Sequence, residues 1–325
     1  MARRGGWRRL GRKRFRYVDS RGRAITDVEQ LERIRSLVIP PAWSDVWISP
    51  KPGAKVQATG IDAAGRRQYI YHPSFRAARE RAKFGRLLHF AESLPAFRAR
   101  TAQHLRLGPY ERDWACALAV GLVNHGWFRV GSERHARSSR TYGITTLTKR
   151  HVSVSGKHVE LRFRTKNKKR VSRKVESATL ARGLRSLVGL ENGARLFRFE
   201  QDGEIFNLTA PMLNDYIGEH LGNGFTAKDF RTWGGTLLAA VELAKHGPPE
   251  SETEAKRVLA WVMRKVGHEL GNTPAVARAS YVSPAVVDHD VAGSTIDDFR
   301  RKSTRPPRLR DDERALLRLL RSDAR

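Results

Sequence analysis

The hydrophobic period changes near Phe84, and that change limits the fold more than any other feature of the chain. Before it, short alternating segments at 14–18, 46–48, 56–59 and 68–71 are separated by Gly and Pro, as half-buried strands are. One short helix interrupts them. Thr26 and Glu29 have capping-box spacing, Val28, Leu31 and Ile34 share one side, and Pro40-Pro41 ends the helix. After the change, Leu87, Leu88, Phe90, Leu94 and Phe97 fit helices, and 114–123 is the apolar run of a buried one. Alternating segments at 144–147, 151–154, 159–163 and 171–175 predict a small antiparallel sheet set into the helical part. Helices resume at Ser177, Leu208, Thr226 and near Glu252, and 311–320 is a last amphipathic helix. The fold class is therefore α+β. A small, mostly antiparallel β domain occupies 1–83, and a larger, mainly helical domain with a basic C-terminal tail occupies 84–325.

Charge narrows the partners. The 325 residues hold 62 Lys+Arg against 33 Asp+Glu, a net charge of +29, which points to a polyanion. At 40% hydrophobic and 8% aromatic residues, the chain reads as a globular enzyme or binder and not as a basic tail protein. The dense arginines of 1–13 repel one another and predict a loose basic arm that meets phosphates. Cys116 is the only cysteine, which excludes an intrachain disulfide; its apolar neighbours predict a buried thiol. No segment is apolar enough to span a membrane, and the basic start has no apolar core behind it. A cytoplasmic protein working at the nucleoid is the expectation. There is no phosphate-binding glycine loop and no Asp/Glu cluster for Mg²⁺. The eleven histidines lack ligand spacing, and His125, His135 and His151 read as surface or core residues.

Two late stretches carry the chemistry. Over 266–281, Gly271 suits a helix end and Pro274 a first helical turn, and Tyr281 closes the second helix among small and polar neighbours. Alone, Tyr281 fits a half-buried tyrosine closing a helical bundle. Upstream, Thr226 and Asp229 form a capping-box-like start that places Lys228 and Arg231 on one helix face, before Thr232-Trp233-Gly234-Gly235.

This pairing, an Arg-Thr-aromatic-Gly helix with a later Leu270-Gly271-Asn272-Thr273-Pro274 and a tyrosine, resembles the type IB DNA topoisomerases in their bacterial, poxvirus-like branch. The resemblance covers roughly 14–290 and includes Ile39-Pro40-Pro41-Ala42-Trp43. It implies two lobes that close on double-stranded DNA, acting as a monomer. It makes Tyr281 the nucleophile, with Arg129 and Arg231 on the phosphate. A β-hairpin lysine, Lys166, becomes the general acid, Asn272 stands where many members have His, and Lys228 is a further phosphate contact. Strand 65–71 resembles the one the family lays in the major groove, with Gln68, Tyr69 and Tyr71 as DNA contacts. Thr165 departs from the family's usual Gly, and Lys168 is the second candidate acid.

The chemistry is consistent with these residue types. A phosphotyrosyl ester stores the energy of the broken phosphodiester, so no cofactor, ATP or metal is expected. Ionising a tyrosine at pH 7 costs roughly 4 kcal/mol, which nearby guanidiniums offset. Bidentate arginines match the non-bridging oxygens of a phosphorane-like transition state. A neutral amide at Asn272 can donate to such an oxygen but cannot become a cation. A tyrosine recombinase or integrase shares this chemistry, and a non-catalytic basic DNA-binding protein shares the charge. Lys228 separates the first two families, because recombinases typically carry His there.

Overall fold

A computed structural model describes residues 5–12, 14–166, 169–191, 193–301 and 309–323. The chain divides into two compact units, Met1–Phe84 and Gly85–Arg325.

The first unit is a five-stranded antiparallel sheet in the order β2-β1-β3-β4-β5. Its strands are β1 (Trp7–Leu10), β2 (Arg16–Val18), β3 (Ser44–Ile48), β4 (Val56–Ile61) and β5 (Arg67–Tyr71). Helix α1 (Val28–Ser36) supplies Ile34 to a core with Val46, Ile48 and Ala58, flanked by Trp7, Trp43 and Ile70. The cap of α1 is Asp27, which accepts from the Gln30 amide at 2.8 Å, one residue later than the Thr26 box predicts.

Strand β1 corrects the expectation of a loose arm at residues 7–10, while Arg3, Arg4 and Lys13 of that stretch lie outside the described residues. Arg8 and Arg9 sit in a strand paired on both sides, to β2 and to β3. The Arg9 guanidinium donates to the carbonyls of Ile39, Pro40, Pro41 and Trp43 and lies 4.2 Å from the Phe15 ring centroid. A charge so well supplied with acceptors folds into the sheet instead of repelling its neighbours.

The second unit is mainly helical. Helix α2 (Pro73–His104) crosses the division, and within the second unit it buries Leu87, Phe90, Leu94 and Phe97. Helix α3 (Arg112–Gly126) is buried from Trp114 to Val120; it holds Cys116, whose thiol burial pushes up to about 12. After α4 (Glu133–Ser139), the segment 144–147 is not the predicted strand. It turns as a short 3-10 helix, because Thr146 Oγ1 bonds both the N–H and the carbonyl of Gly143. Strands β6 (Val152–Ser155), β7 (His158–Arg164) and β8 (Arg170–Glu176) form an antiparallel sheet. Helix α5 (Ala178–Gly189) follows, then an unanticipated hairpin of β9 (Arg198–Gln201) and β10 (Glu204–Asn207).

Helices α6 (Ala210–Leu221), α7 (Ala227–His246), α8 (Glu252–Leu270), α9 (Pro274–Tyr281) and α10 (Pro284–Val291) complete the core. Phe90 meets Phe230 of α7 edge to face at 5.0 Å. The last helix, α11 (Leu309–Asp323), buries Ala315, Leu316 and Leu319, and its Glu313 accepts from Arg98 and from the Trp233 indole. No helix among the described residues is long and apolar enough to cross a membrane.

Candidate active site

Four helix ends of the second unit build the site. Helix α3 stops in a left-handed Trp127 (φ 50°), whose N–H returns to the Val123 carbonyl at 2.9 Å. The chain then leaves with Phe128 buried and Arg129 half-buried. The Arg129 and Val130 carbonyls accept from the amides of Ile144 and Thr145 at 2.9 and 2.7 Å, which fixes the backbone that carries the guanidinium.

Helix α7 opens as its sequence predicts. Thr226 N–H and Oγ1 both donate to Asp229 Oδ2, at 2.8 and 2.9 Å, and Arg231 follows in the second turn. Helix α8 stops in left-handed Gly271 (φ 63°), and Thr273 caps α9 with Pro274 in its first turn. Tyr281 stands at the far end of α9.

The arginines meet at the end of α8. Its last carbonyls have no helical partners and carry the negative end of the helix dipole. Arg231 Nη2 donates to Leu270 O at 2.8 Å, and Arg129 Nη2 donates to Gly271 O at 3.1 Å. Arg231 Nη1 also donates to Trp127 O. Arg129 adds Asn272 Oδ1 at 2.6 Å and, more loosely, Thr165 Oγ1 at 3.5 Å. Arg231 is only 4% exposed, yet among the described residues neither guanidinium is recorded in an ion pair with a carboxylate. The nearby Glu269 is taken by Arg173 of β8. Two positive charges are thus held by carbonyl dipoles and an amide, with their net charge left over.

Tyr281 feels that charge. The Arg231 guanidinium carbon lies 5.0 Å from its ring centroid. Burial opposes ionisation of the phenol, but the charge of Arg231 and its approach to the hydroxyl, then Arg129 and Lys228, outweigh it. The pKa falls below the usual tyrosine value. Burial, with the neighbouring Arg231, lowers Arg129 in turn.

The backbone of Tyr281 is pressed against α7. Thr236 Oγ1 donates to Tyr281 O at 3.2 Å and accepts from Ser283 N–H at 3.1 Å. A Cβ on Gly235 would stand 2.7 Å from Tyr281 O, and one on Gly234 would stand 2.2 Å from the Trp127 ring. The Gly234-Gly235 pair therefore lets Tyr281 and Trp127 both reach α7.

Arg129, Arg231, Asn272 and Tyr281 come together in this way, with exposed Lys228 close enough to act on the phenol. Asn272 turns its oxygen to Arg129 and its Nδ2 to Leu270 O at 3.4 Å. Lys166 is exposed at the hairpin tip after β7, next to Thr165, while Lys169 lines a cleft of about 260 Å³ with Arg129, Arg173 and Arg231. Lys168 lies outside the described residues. In the first unit, Gln68 donates to Asp62 Oδ2 at 2.8 Å. Tyr69 and Tyr71 stack at 5.9 Å on edge strand β5. Of the histidines singled out from the sequence, His125 and His135 are exposed. His151 is buried, which lowers it to about 4, and its Nδ1 accepts from Thr148 N–H.

Residues 72–293 match the family described as eukaryotic DNA topoisomerase I, catalytic core, a span that holds all the clustered residues. The chain belongs to the type IB DNA topoisomerases. Residues 14–62 match the bacterial DNA topoisomerase IB N-terminal domain. This topoisomerase is 33% identical to the DNA topoisomerase 1B of Acanthamoeba polyphaga mimivirus over 276 residues, which cover 82% of this chain and 81% of that one. The DNA topoisomerase I of monkeypox virus and the DNA topoisomerase 1B of vaccinia virus (strain Copenhagen) are each 21% identical, over 74% of this chain and 76% of theirs. A bacterial-type N-terminal domain and viral relatives fit the bacterial, poxvirus-like branch of the family.

Proposed function

We propose that Tyr281 attacks a phosphodiester of duplex DNA to give a 3′-phosphotyrosyl ester and a free 5′-hydroxyl. The cut strand then swivels, and the hydroxyl reverses the attack. Supercoils of both signs relax, and the phosphotyrosyl ester conserves the bond energy, so ATP and metal are dispensable. The observation that carries this reading is the convergence on Tyr281 of two guanidiniums without carboxylate partners. Arg129 and Arg231 stabilise the non-bridging oxygens as charge builds, and such donors are typically worth roughly 10²–10³ in rate each. Lys228 adds a phosphate contact. Lys166 protonates the leaving oxygen, and Asn272 holds Arg129 and offers its free N–H to the phosphate.

The protein works as a monomer on double-stranded DNA at the nucleoid. Tyr69 and Tyr71 meet the duplex from β5, and Gln68 exchanges its bond to Asp62 for a base edge. The test is plasmid relaxation in EDTA without ATP, on positively and negatively supercoiled substrates. Both should relax, denaturation should trap a covalent adduct, and Tyr281→Phe should bind DNA without forming it. Adduct formation by Tyr281→Phe at the wild-type level overturns the assignment, and joining of two separate duplexes would make the enzyme a recombinase.

A further inference from the structure

Two histidines and an aspartate, far apart in sequence, come together at three helix ends of the second unit. His104 is the last residue of α2, Asp113 lies in the first turn of α3, and His220 lies in the last turn of α6. One ring nitrogen of each histidine and one carboxylate oxygen lie within 4.8 Å of one another. His104 Nδ1 is 3.8 Å from Asp113 Oδ2, and the two imidazoles meet edge to face with centroids 5.0 Å apart. Nothing in the strand-cleavage reading uses these residues.

A second observation points to a missing partner. His220 Nε2 is shut off from solvent and has no hydrogen-bond partner among the described residues; Glu219 Oε1, at 3.9 Å, is out of reach. Folded proteins seldom leave a buried ring nitrogen unpaired. His104 Nδ1 also lies 2.9 Å from the Tyr216 hydroxyl, a contact that metal binding at that nitrogen would replace.

We propose that His104, Asp113 and His220 bind one divalent transition metal, zinc before others, as a structural clip on the ends of α2, α3 and α6. Two imidazoles and a carboxylate suit borderline first-row ions and not calcium or magnesium, which take oxygen ligands. Bonds of about 2.0–2.2 Å to a tetrahedral ion put the donors roughly 3.5 Å apart, so the side chains close by about 1 Å on binding. Asp113 is the arm free to move: its side chain is 45% exposed, against 13% for His104 and 16% for His220. Water from that open side completes the shell. The clip has no part in strand cleavage and does not rest on that reading.

The test uses the full-length protein, stripped with chelator and then titrated with Co²⁺ and Zn²⁺. One Zn²⁺ per chain should survive gel filtration, Co²⁺ should give the visible bands of a site with nitrogen ligands, and zinc should raise Tm. Asp113→Asn and His220→Gln should each weaken zinc binding about tenfold or more and remove the Tm gain. The exposure of Asp113 makes Asp113→Asn the safer variant to fold, checked by a metal-free circular dichroism spectrum like that of the wild type. Zinc affinity unchanged in both variants, or no zinc retained by the wild type, overturns the site. Relaxation by the metal-stripped protein is scored separately; it reports on Tyr281 and should persist, so the two readings fail independently.

Discussion

The side-chain oxygen of Asn272 accepts a hydrogen bond from Arg129 Nη2 at 2.6 Å, nine residues ahead of the tyrosine that the same guanidinium helps to ionise. Hydrogen bonds to charged groups are worth about 1.5–3 kcal/mol. Asn272→Ala should therefore slow single-turnover cleavage about 10- to 100-fold, while Asn272→His, which keeps an acceptor nitrogen, stays active. Asn272→Asp keeps the acceptor but cancels the charge of Arg129, and should be slower than the wild type. Normal cleavage by Asn272→Ala would make the residue dispensable.

Tyr281 should ionise below the ordinary tyrosine range. Burial resists its charge, but Arg231, Arg129 and Lys228 more than compensate, so its folded pKa lies below the ordinary value of about 10. The resulting stabilisation is complete only above the unfolded pKa and disappears as pH falls through the folded one. The rate is what responds. The alkaline rise in cleavage should come below pH 10, and Arg231→Gln should move it upward. Phenolate absorbance, as the difference between wild type and Tyr281→Phe, measures the pKa directly. A difference titrating at or above 10 contradicts the arrangement.

Gly235→Ala should displace α9. Its new Cβ would meet backbone, Tyr281 O at 2.7 Å, where no flexible side chain can yield. Overpacking of this kind costs about 1–3 kcal/mol. The variant should lose several degrees of Tm and most of its cleavage. Unaltered cleavage at reduced Tm would show that the position of Tyr281 does not depend on this contact.

The leaving-group proton distinguishes the hairpin lysines. With sulfur at the scissile 5′ position the leaving thiolate needs no acid, since a thiol has a pKa of about 8.5. Lys166→Ala should cleave ordinary DNA poorly and the sulfur substrate nearly normally. Equal loss on both substrates would make Lys166 a binding residue. Lys169 then comes first for the same assay, because it lines the cleft beside Arg129.

Asp290 should make the protein less stable as pH rises. It is 4% exposed, its Oδ1 has no hydrogen-bond partner among the described residues, and burial raises its pKa to about 6. Between the ordinary carboxylate value near 4 and about 6 the folded state binds the extra proton, so stability declines across that window and stays lower above it. Asp290→Asn should raise Tm at pH 7.5 and change it little at pH 4. Equal effects at both pH values would rule out a buried charge as the cause.

Much of this was legible in the sequence, for physical reasons. Strands β3 to β5 and the long helices announce themselves through period, and Thr226, Gly271 and Pro274 through capping chemistry. Strand β1 did not, because the carbonyls that neutralise Arg9 come from residues 39–43. The β9–β10 hairpin was missed although Asp202 and Gly203, both at positive φ, form a two-residue turn between strands carrying Phe199, Ile205 and Phe206. Arg129, Arg231, Asn272 and Tyr281, which the structure brings together, were singled out from sequence. Their partners could not be, since Trp127 O, Leu270 O and Gly271 O are main-chain atoms that any residue would supply. The His104–Asp113–His220 group was invisible because 116 positions separate its two histidines.

Those main-chain acceptors bear on how the site tolerates mutation. Apart from Tyr281, the acceptors of Arg231 are the backbone carbonyls of Trp127 and Leu270, so no exchange of a neighbouring side chain can delete those two. Such exchanges act only by altering how α3 or α8 terminates. Residues without a side chain, Gly234 beneath Trp127 and Gly271 at its left-handed stop, therefore govern where that guanidinium is aimed. Loss of function without loss of any chemical group should collect at these two helix endings.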